Sequence, residues 1–288
     1  PHGTRFLTAP KEMILGRPKD AAIGLNHFLG VDDDEIIQML AKGDMAAIMS
    51  EFTLHGTDED RECLHYCLHE RAGANTKRFW NGVRDENRNG ETLDDFLRHE
   101  NSVHAGLRKA HVLALRLYST AAYKSLNGPL RARGTAHVKY PFPVTMHCIA
   151  EALRRLRAVG ATIPRPSGRE AMALYRGMRG LSVPDIFLVE GGTEISPMST
   201  TCDLEVAVRY SASRQAVLIR LNTSSFMQRG ADISYLSAFP AEAEILFPPL
   251  TYLECVAVHN DVAFPLDGDA NGSSICYTLV DCIPHFGS

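Results

Sequence analysis

The spacing of apolar residues changes once along this chain, near Gly160, and that change most limits the folds available to it. From about residue 18 to Gly160, apolar side chains recur at the spacing of amphipathic helices. Beyond Gly160, short apolar or alternating runs are separated by Gly, Pro, Asn and Ser, a pattern typical of strands. Helices followed by strands predict an α+β fold, in which an N-terminal helical block precedes a mainly antiparallel β-sandwich.

The helical half contains several recognisable helix boundaries. The acidic run Asp32–Glu35 suits the positive end of a helix dipole, and Thr92 with Asp95 predicts a capped helix start. Asn127-Gly128-Pro129 predicts the end of a long amphipathic helix, and Gly160 the end of the next one. The predicted helical segments are IIQMLAKGDMAAIM, TDEDRECLHYCLHER, AHVLALRLYSTAAYKSL and VTMHCIAEALRRLRAVG.

The second half reads as strands with one helix, CDLEVAVRYSAS. The predicted strands are ALYRGM, QAVLIRLN, EAEILF, TYLECVAVHN and ICYTLVDC. A polar, loop-like stretch ends near Gly90 and divides the first helices from those that lead into the sheet. We therefore predict two regions, residues 1–88 of unknown role and residues 89–288.

Bulk composition excludes several classes of partner. The chain has 288 residues, 45% of them apolar, and a net charge of −4, so no basic field predicts binding to nucleic acid or to an anionic membrane. No apolar run approaches the ~20 residues of a membrane span, and no N-terminal stretch has the regions of a signal peptide. The chain starts at Pro1, which leaves a removed leader, a residual tag or excision from a longer protein open.

The seven cysteines form an odd set without a zinc-type CxxC pair, so a mostly reduced, cytosol-like state is the simplest expectation. A secreted protein remains open, and there Cys276 and Cys282 are candidates for oxidation.

Two apparent metal motifs fail on geometry. Cys63 and Cys67 share one helix face, but His65 and His69 lie about 200° around the helix from Cys63, so the four side chains cannot converge on zinc. We expect core cysteines and surface histidines instead. The stretch Asp267–Gly272 copies half of a calcium loop, but position twelve is Thr278 and strands flank it, so a hairpin turn is the better interpretation.

Neither G-x-G-x-x-G nor G-x-x-x-x-G-K-[ST] occurs in the chain. Three other features follow in order: Arg176 in the strand-like Leu174–Gly177, then Ser199-Thr200-Thr201, then Glu242-Ala243-Glu244. Singly, each is ordinary, since a strand arginine is usually a surface cation and Glu-x-Glu is usually the solvent face of a strand. Their order is what points to a site.

That order resembles the triad of the Arg-Ser-Glu class of ADP-ribosyltransferases. HVLALRLYSTAAYKSLNGPLR, YPFPVTMHCIAEALRRL and GADISYLSAFPAEAEILFPPLTYLECV are similar to segments of the arginine-specific eukaryotic mono-ADP-ribosyltransferases, so the resemblance covers most of residues 95–260. The middle motif departs from the family pattern by ending in Thr201 rather than Ser, which keeps a hydroxyl. Residues 1 to about 90 resemble nothing that we recognise.

The resemblance implies an α+β ADP-ribosyltransferase fold, with residues 89–288 as the catalytic domain. It implies NAD⁺ as substrate, no metal, and a protein acceptor that bears an exposed arginine. Glu244 would stabilise the cation that forms on the ribose, and Glu242, two residues earlier on the same strand and facing the same side, would receive the acceptor arginine. Arg176 would contact a phosphate or ribose oxygen, and Ser199 would bond the ribose and hold Glu244.

The resemblance also implies residues that contact the dinucleotide and the acceptor. Tyr210 would lie against nicotinamide, and Tyr235 and Phe239 would lie in the loop that meets the acceptor. The residues expected to contact NAD⁺ are Arg176, Gly177, Ser199, Thr200, Tyr210, Tyr118 and, in addition, Arg131.

Two other functions remain open at this point. In an NAD⁺ glycohydrolase, water rather than arginine would capture the ribosyl cation at the same site. In a binding module, the fold would persist without catalysis, although the intact Arg176, Ser199 and Glu244 set weighs against that.

Overall fold

The computed structural model describes residues 11–13, 15–31, 44–69, 90–132, 139–160, 172–211, 213, 216–225, 228–265 and 274–286. The first half of this described chain is helical. Its helices are α1 (Leu25–Leu29), α2 (Met45–His55), α3 (Asp58–His69), α4 (Leu93–Arg98), α5 (Glu100–His104), α6 (Lys109–Tyr118), α7 (Tyr123–Arg131) and α8 (Pro143–Gly160).

The second half is built from strands, with two helices between them. A short strand, β1 (Lys11–Glu12), comes first in the chain. The remaining strands are β2 (Met172–Arg179), β3 (Leu181–Ser182), β4 (Gly192–Glu194), β5 (Met198–Thr201), β6 (Ala216–Thr223), β7 (Ala231–Asp232), β8 (Glu244–Phe247), β9 (Thr251–Pro265) and β10 (Ser274–His285), and the helices are α9 (Asp185–Glu190) and α10 (Leu204–Ser211).

Eight strands form one mostly antiparallel sheet in the order β4-β9-β10-β6-β2-β5-β8-β7, with β6–β10 as its parallel pair. A single register pair, Tyr175–Thr201, joins β2 to β5. The sheet is thus a five-stranded part and a three-stranded part linked at one point. One apolar core contains side chains of both parts, among them Leu174, Ile219 and Phe247. The predicted α+β fold is confirmed.

The helices form a second core, and residues from before Gly90 belong to it. Phe52 of α2 and Cys63 of α3 share this core with Leu113 of α6 and Ile149 of α8. The division into residues 1–88 and 89–288 stays a prediction. None of the helices in the described part of the chain combines the length and hydropathy that a bilayer span requires.

Helix α6 is the centre of the helical part. The sequence predicts an amphipathic helix here, but every residue from Ala110 to Tyr118 is buried. The buried cation Arg116 donates to the Leu236 carbonyl at 2.8 Å and lies 4.7 Å from the centre of the Phe96 ring. These contacts compensate for removing its charge from water.

The predicted helix stop at Asn127-Gly128-Pro129 is wrong, because α7 continues to Arg131 with Pro129 inside it. The chain breaks earlier, where the Ser119 and Thr120 hydroxyls donate to the carbonyls of Arg116 and Leu117. Leu126 and Leu130, four residues apart, are both fully buried. Packing of that face outweighs the local breaker, which lies in the last turn where fewer backbone bonds are lost.

Other local predictions are confirmed. Thr92 and Asp95 cap α4 through bonds of 2.7 and 2.8 Å, and α8 ends at Gly160. In α3 the cysteines are buried and His65 and His69 are exposed. The acidic run Asp32–Glu35 and the calcium-like stretch Asp267–Gly272 lie outside the described residues.

A buried carboxylate ties α2 to the beginning of α8. One oxygen of Glu51 accepts the Val144 N–H at 2.6 Å, and the other accepts the Thr145 N–H and hydroxyl at 2.9 and 2.7 Å. The first N–H groups of a helix have no partner within the helix, so Glu51 caps α8 from another element. Burial raises the pKa of Glu51 to about 7.

We predict that Glu51→Gln lowers the free energy of unfolding by about 1–3 kcal/mol, because an amide nitrogen cannot accept these N–H groups. Chemical denaturation measures the change, with the exposed Glu62→Gln on α3 as control. The raised pKa means that the native state binds more protons than the unfolded chain between about pH 4.5 and about 7. The stabilisation that follows from the raised pKa of Glu51 is therefore fully present below that range, and it is lost as pH rises through about 7.

The difference between wild type and Glu51→Gln should accordingly shrink as the pH increases across that range. A difference that stays constant, or that grows with pH, would contradict the assignment.

Candidate active site

The largest concentration of predicted site residues lies around one cavity of about 320 Å³, the main cavity, between the helical part and the sheet. Its wall contains every residue predicted to act in catalysis or to contact the dinucleotide. The lining residues are Tyr118, Ser119, Tyr123, Asn127, Arg131, Tyr175, Arg176, Gly177, Ser199, Thr200, Thr201, Val206, Ala207, Tyr210, Phe239, Glu242 and Glu244.

The junction of β2, β5 and β8 brings the three parts of the sequence motif together. Thr201 pairs with Tyr175 of β2 on one side and with Glu244 of β8 on the other. Arg176, next to Tyr175, donates to the Ser199 carbonyl at 2.9 Å. Because β2 and β5 share only one register pair, the strands separate beyond it and leave the side chains access to the cavity.

Glu244 is the buried carboxylate of this junction. It is 7% exposed, and the Ser237 hydroxyl donates to its Oε2 at 3.0 Å. Burial raises the pKa of Glu244, and the charge of Glu242 adds to this; hydrogen bonds from Ser199 and Ser237 and the charge of Arg176 oppose the rise without cancelling it. The carboxyl is thus harder to ionise than a free glutamate, and these donors and the guanidinium are the groups that favour its ionised form.

Glu242 does not lie on the strand of Glu244, so the prediction that they share one strand is wrong. It ends a 3-10 turn, Pro240–Glu242, and Ala243 adopts a left-handed conformation with φ of 46° before β8 begins at Glu244. Pro240 has no N–H for a strand ladder and suits the start of a helical turn. Both carboxylates nevertheless line the main cavity.

The side chains of Tyr118 and Asn127 are joined by a hydrogen bond in the cavity wall. The Tyr118 hydroxyl donates to the Pro197 carbonyl at 2.8 Å and accepts from Asn127 Nδ2 at 3.0 Å. This order turns the Asn127 amide so that its oxygen faces away from Tyr118. Asn127 is 3% exposed, and no donor in the described part of the chain bonds its Oδ1. The oxygen is itself buried, so it is an unpaired acceptor within the wall.

Glu194 connects two cationic side chains of the cavity. It accepts from Arg131 Nε and Nη2 at 3.1 and 3.0 Å, and its Oε2 lies 3.9 Å from Arg176 Nη2. The Ser196 hydroxyl adds a bond of 2.7 Å. The carboxylate is 7% exposed and so aligns two guanidiniums that suit a phosphate ligand.

Two residues predicted to bind the dinucleotide also have structural roles. A Cβ at Gly177 would lie 2.0 Å from the Ala207 carbonyl oxygen, so glycine is needed for the close approach of α10 to β2. The Thr200 hydroxyl donates to the Ile245 carbonyl at 2.7 Å and joins β5 to β8. Their contacts with a ligand stay predictions.

The two aromatic residues predicted to meet the acceptor are separated by the structure. Phe239 lines the main cavity. Tyr235 does not: its hydroxyl bonds Ser102 at 2.8 Å and its ring stacks on His99 with centroids 4.3 Å apart. Tyr235 therefore packs the loop onto the helical part, because its amphipathic ring finds both an apolar surface and a polar partner there.

Sequence reasoning missed Asn127, Glu194 and Ser237. Asn127 was interpreted as part of a helix stop, and Glu194 is a lone acid in a three-residue strand with no signal around it. Ser237 could have been found, since it lies in the loop directly before Glu242. Among the residues that the structure describes, no group of three or more His, Cys, Asp and Glu side chains is arranged to hold a metal ion.

Comparison with known proteins identifies a family. Residues 68–264 match the family NAD:arginine ADP-ribosyltransferase (ART). The chain is 28% identical over 151 residues to ecto-ADP-ribosyltransferase 5 of Bos taurus, covering 50% of this chain and 44% of the relative. It is also 28% identical over 159 residues to the Rattus norvegicus protein, covering 53% and 48%. The chain thus spans about half the length of the curated relatives that it matches.

Solved structures share the fold. The eukaryotic mono-ADP-ribosyltransferase ART2.2 superposes with a TM-score of 0.51 at 12% identity, covering 88% of this chain and 90% of that one. A variant of ART2.2 in complex with NAD gives a TM-score of 0.53 at 13% identity, covering 89% and 90%.

We predict that Glu194→Leu lowers the free energy of unfolding by about 3 kcal/mol, because it leaves the half-buried Arg131 and Arg176 without their shared counter-ion. Denaturant unfolding measures this, with Glu254→Gln as control. Glu254 pairs with His285 while half exposed, so its loss should change stability by less than about 1 kcal/mol. Equal effects of the two substitutions would contradict a structural role for Glu194.

Proposed function

The chain belongs to the NAD:arginine ADP-ribosyltransferase family, and on that premise we propose that it cleaves the nicotinamide–ribose bond of NAD⁺ and transfers ADP-ribose to an arginine of a protein acceptor. The observation that carries the proposal is the meeting of Arg176, Ser199, Glu242 and Glu244 around one cavity. These residues come from three separate parts of the chain, and their side chains suit the separate tasks of the reaction.

The cleavage step needs stabilisation of a cation rather than a proton donor. Nicotinamide leaves as a neutral molecule from a pyridinium, so no acid has to protonate it. The positive charge that develops on the ribose is oxocarbenium-like, as in glycoside hydrolysis. An ionised Glu244 beside the ribose 2′-hydroxyl would stabilise this charge, and its existing hydrogen bond from Ser237 would orient it without reorganisation during the reaction.

Binding of the dinucleotide would use the cations of the cavity wall. Arg131 and Arg176, aligned by Glu194, would contact the pyrophosphate, whose charges match planar guanidiniums. Tyr210, at the edge of the cavity and 54% exposed, offers an aromatic face for the nicotinamide ring.

Capture of the ribosyl cation by arginine would depend on Glu242. A guanidinium stays protonated near neutral pH, and a carboxylate binds its N–H groups through charge-assisted hydrogen bonds. Glu242 lies at the cavity wall together with Phe239, on the turn that precedes β8. The same carboxylate can assist removal of the proton that the arginine nitrogen must lose on bond formation.

Incubation with adenine-labelled NAD⁺ and agmatine, a small guanidine, tests the proposal. We expect both an agmatine–ADP-ribose adduct and release of nicotinamide, separated by chromatography. Free ADP-ribose without adduct would indicate an NAD⁺ glycohydrolase and contradict the transferase proposal. No cleavage of NAD⁺ would contradict both.

Glu244→Ala should lower cleavage and transfer together by at least about 100-fold, because it removes the carboxylate that stabilises the developing cation. The rate of nicotinamide release and the rate of adduct formation measure the two reactions. Glu190→Ala, an exposed residue at the end of α9, is the matched control. If both reactions survived in Glu244→Ala, the assignment of this residue would be wrong.

Glu242→Gln should separate the two reactions. We expect adduct formation with agmatine to fall by at least about tenfold, because the guanidinium loses a charged partner, while release of nicotinamide falls less. The ratio of adduct to free ADP-ribose measures this directly. A parallel fall of both products would indicate that Glu242 acts in cleavage and not in the choice of acceptor.

A further inference from the structure

Tyr210, the penultimate residue of α10, makes a hydrogen bond to another side chain although it is not buried. Its hydroxyl donates to Oε1 of Glu242. The residue is 54% exposed, so its hydroxyl could equally bond water. No donor among the described residues contacts the other oxygen of that carboxylate, Oε2. The tyrosine therefore holds one oxygen of the carboxylate of Glu242, a residue that lines the main cavity.

The end of β5 holds the backbone of the same glutamate. The Thr201 hydroxyl donates to the Glu242 carbonyl at 2.7 Å and accepts the Asp203 N–H at 3.0 Å. Asp203 in turn caps α10 by accepting the Glu205 N–H at 2.9 Å. Two successive elements thus fix Glu242 at two places, β5 at its carbonyl through Thr201 and α10 at its carboxylate through Tyr210.

We propose that Tyr210 is a positioning residue for Glu242: its hydroxyl holds the carboxylate with Oε2 directed to the acceptor and so favours transfer to arginine over transfer to water. This inference rests on the proposed function and assigns the tyrosine hydroxyl a task separate from that of the aromatic ring. The ring would face nicotinamide whether or not the hydroxyl were present. The hydroxyl is the group that hydrogen-bonds α10 to the carboxylate that would bind the guanidinium.

The charges around Glu242 give the direction of the effect. Burial raises the pKa of Glu242, and the Tyr210 hydrogen bond and the charge of Arg209 lower it. The third group that faces it, Glu244, is itself destabilised as an anion by the charge of Glu242. Loss of the hydroxyl would therefore raise the pKa of Glu242 and leave more of it protonated, a form that binds a guanidinium poorly. The deficit at low pH should therefore be at least as large as that at high pH.

The test is Tyr210→Phe in the whole chain, which keeps the ring and removes only the hydroxyl. Wild type and variant are incubated with labelled NAD⁺ and agmatine from about pH 6 to about pH 8.5, and the ratio of agmatine adduct to free ADP-ribose is measured. We expect this ratio to fall about tenfold, the effect of one hydrogen bond to a charged group, with a fall at the acidic end at least as large as that at the alkaline end.

Tyr252→Phe is the matched control, because it removes a tyrosine hydroxyl that donates to the Glu190 carbonyl at 2.9 Å, away from the main cavity. Its product ratio should equal that of wild type at every pH. A ratio in Tyr210→Phe that stays within about twofold of wild type, rises above it, or falls more at the alkaline end than at the acidic end would overturn the inference. A wild-type chain that cleaves no NAD⁺ would instead overturn the proposed function.

Discussion

The buried carboxylate of Glu194 joins the two halves of this protein at the point where the site forms. It belongs to β4 of the sheet, accepts two bonds from Arg131 at the end of α7, and lies 3.9 Å from Arg176 of β2. A buried carboxylate is costly without partners, so the two guanidiniums and the carboxylate stabilise one another only when helix and sheet are in contact. The main cavity lies along that contact, and neither half alone supplies its walls.

The helical part also supports the loop that contains Ser237. Arg116 of α6 bonds the Leu236 carbonyl, and Ser119 accepts the Ala238 N–H at 3.0 Å. Between these two anchors lies Ser237, whose hydroxyl bonds Glu244. A helix buried from Ala110 to Tyr118 thus determines where the loop can place its serine, and the serine in turn bonds the Glu244 carboxylate. Glu51 extends this support to α2 by capping α8, which packs on α6.

Local sequence signals predicted most of the fold because they act over a few residues. The Thr92–Asp95 cap, the end of α8 at Gly160 and the strands after it follow from hydrogen bonding and apolar spacing within single segments. One error arose where tertiary packing competes with such signals, since Pro129 is tolerated inside α7 because Leu126 and Leu130 are buried. The other came from a local signal, because Glu242 lies outside the strand at the end of a turn that Pro240 begins.

By itself, the sequence determined the α+β order of elements. It also determined the residues of the motif Arg176, Ser199, Glu242 and Glu244, because their order can be seen along the chain. Only the tertiary structure decided which chemically ordinary residues surround them. Asn127 and Glu194 are distant in sequence from the carboxylates and carry no local pattern. Their importance comes from burial, because removing an amide or a carboxylate from water makes every remaining hydrogen-bond partner matter. Burial is a property of the whole packed chain and cannot be read from one segment.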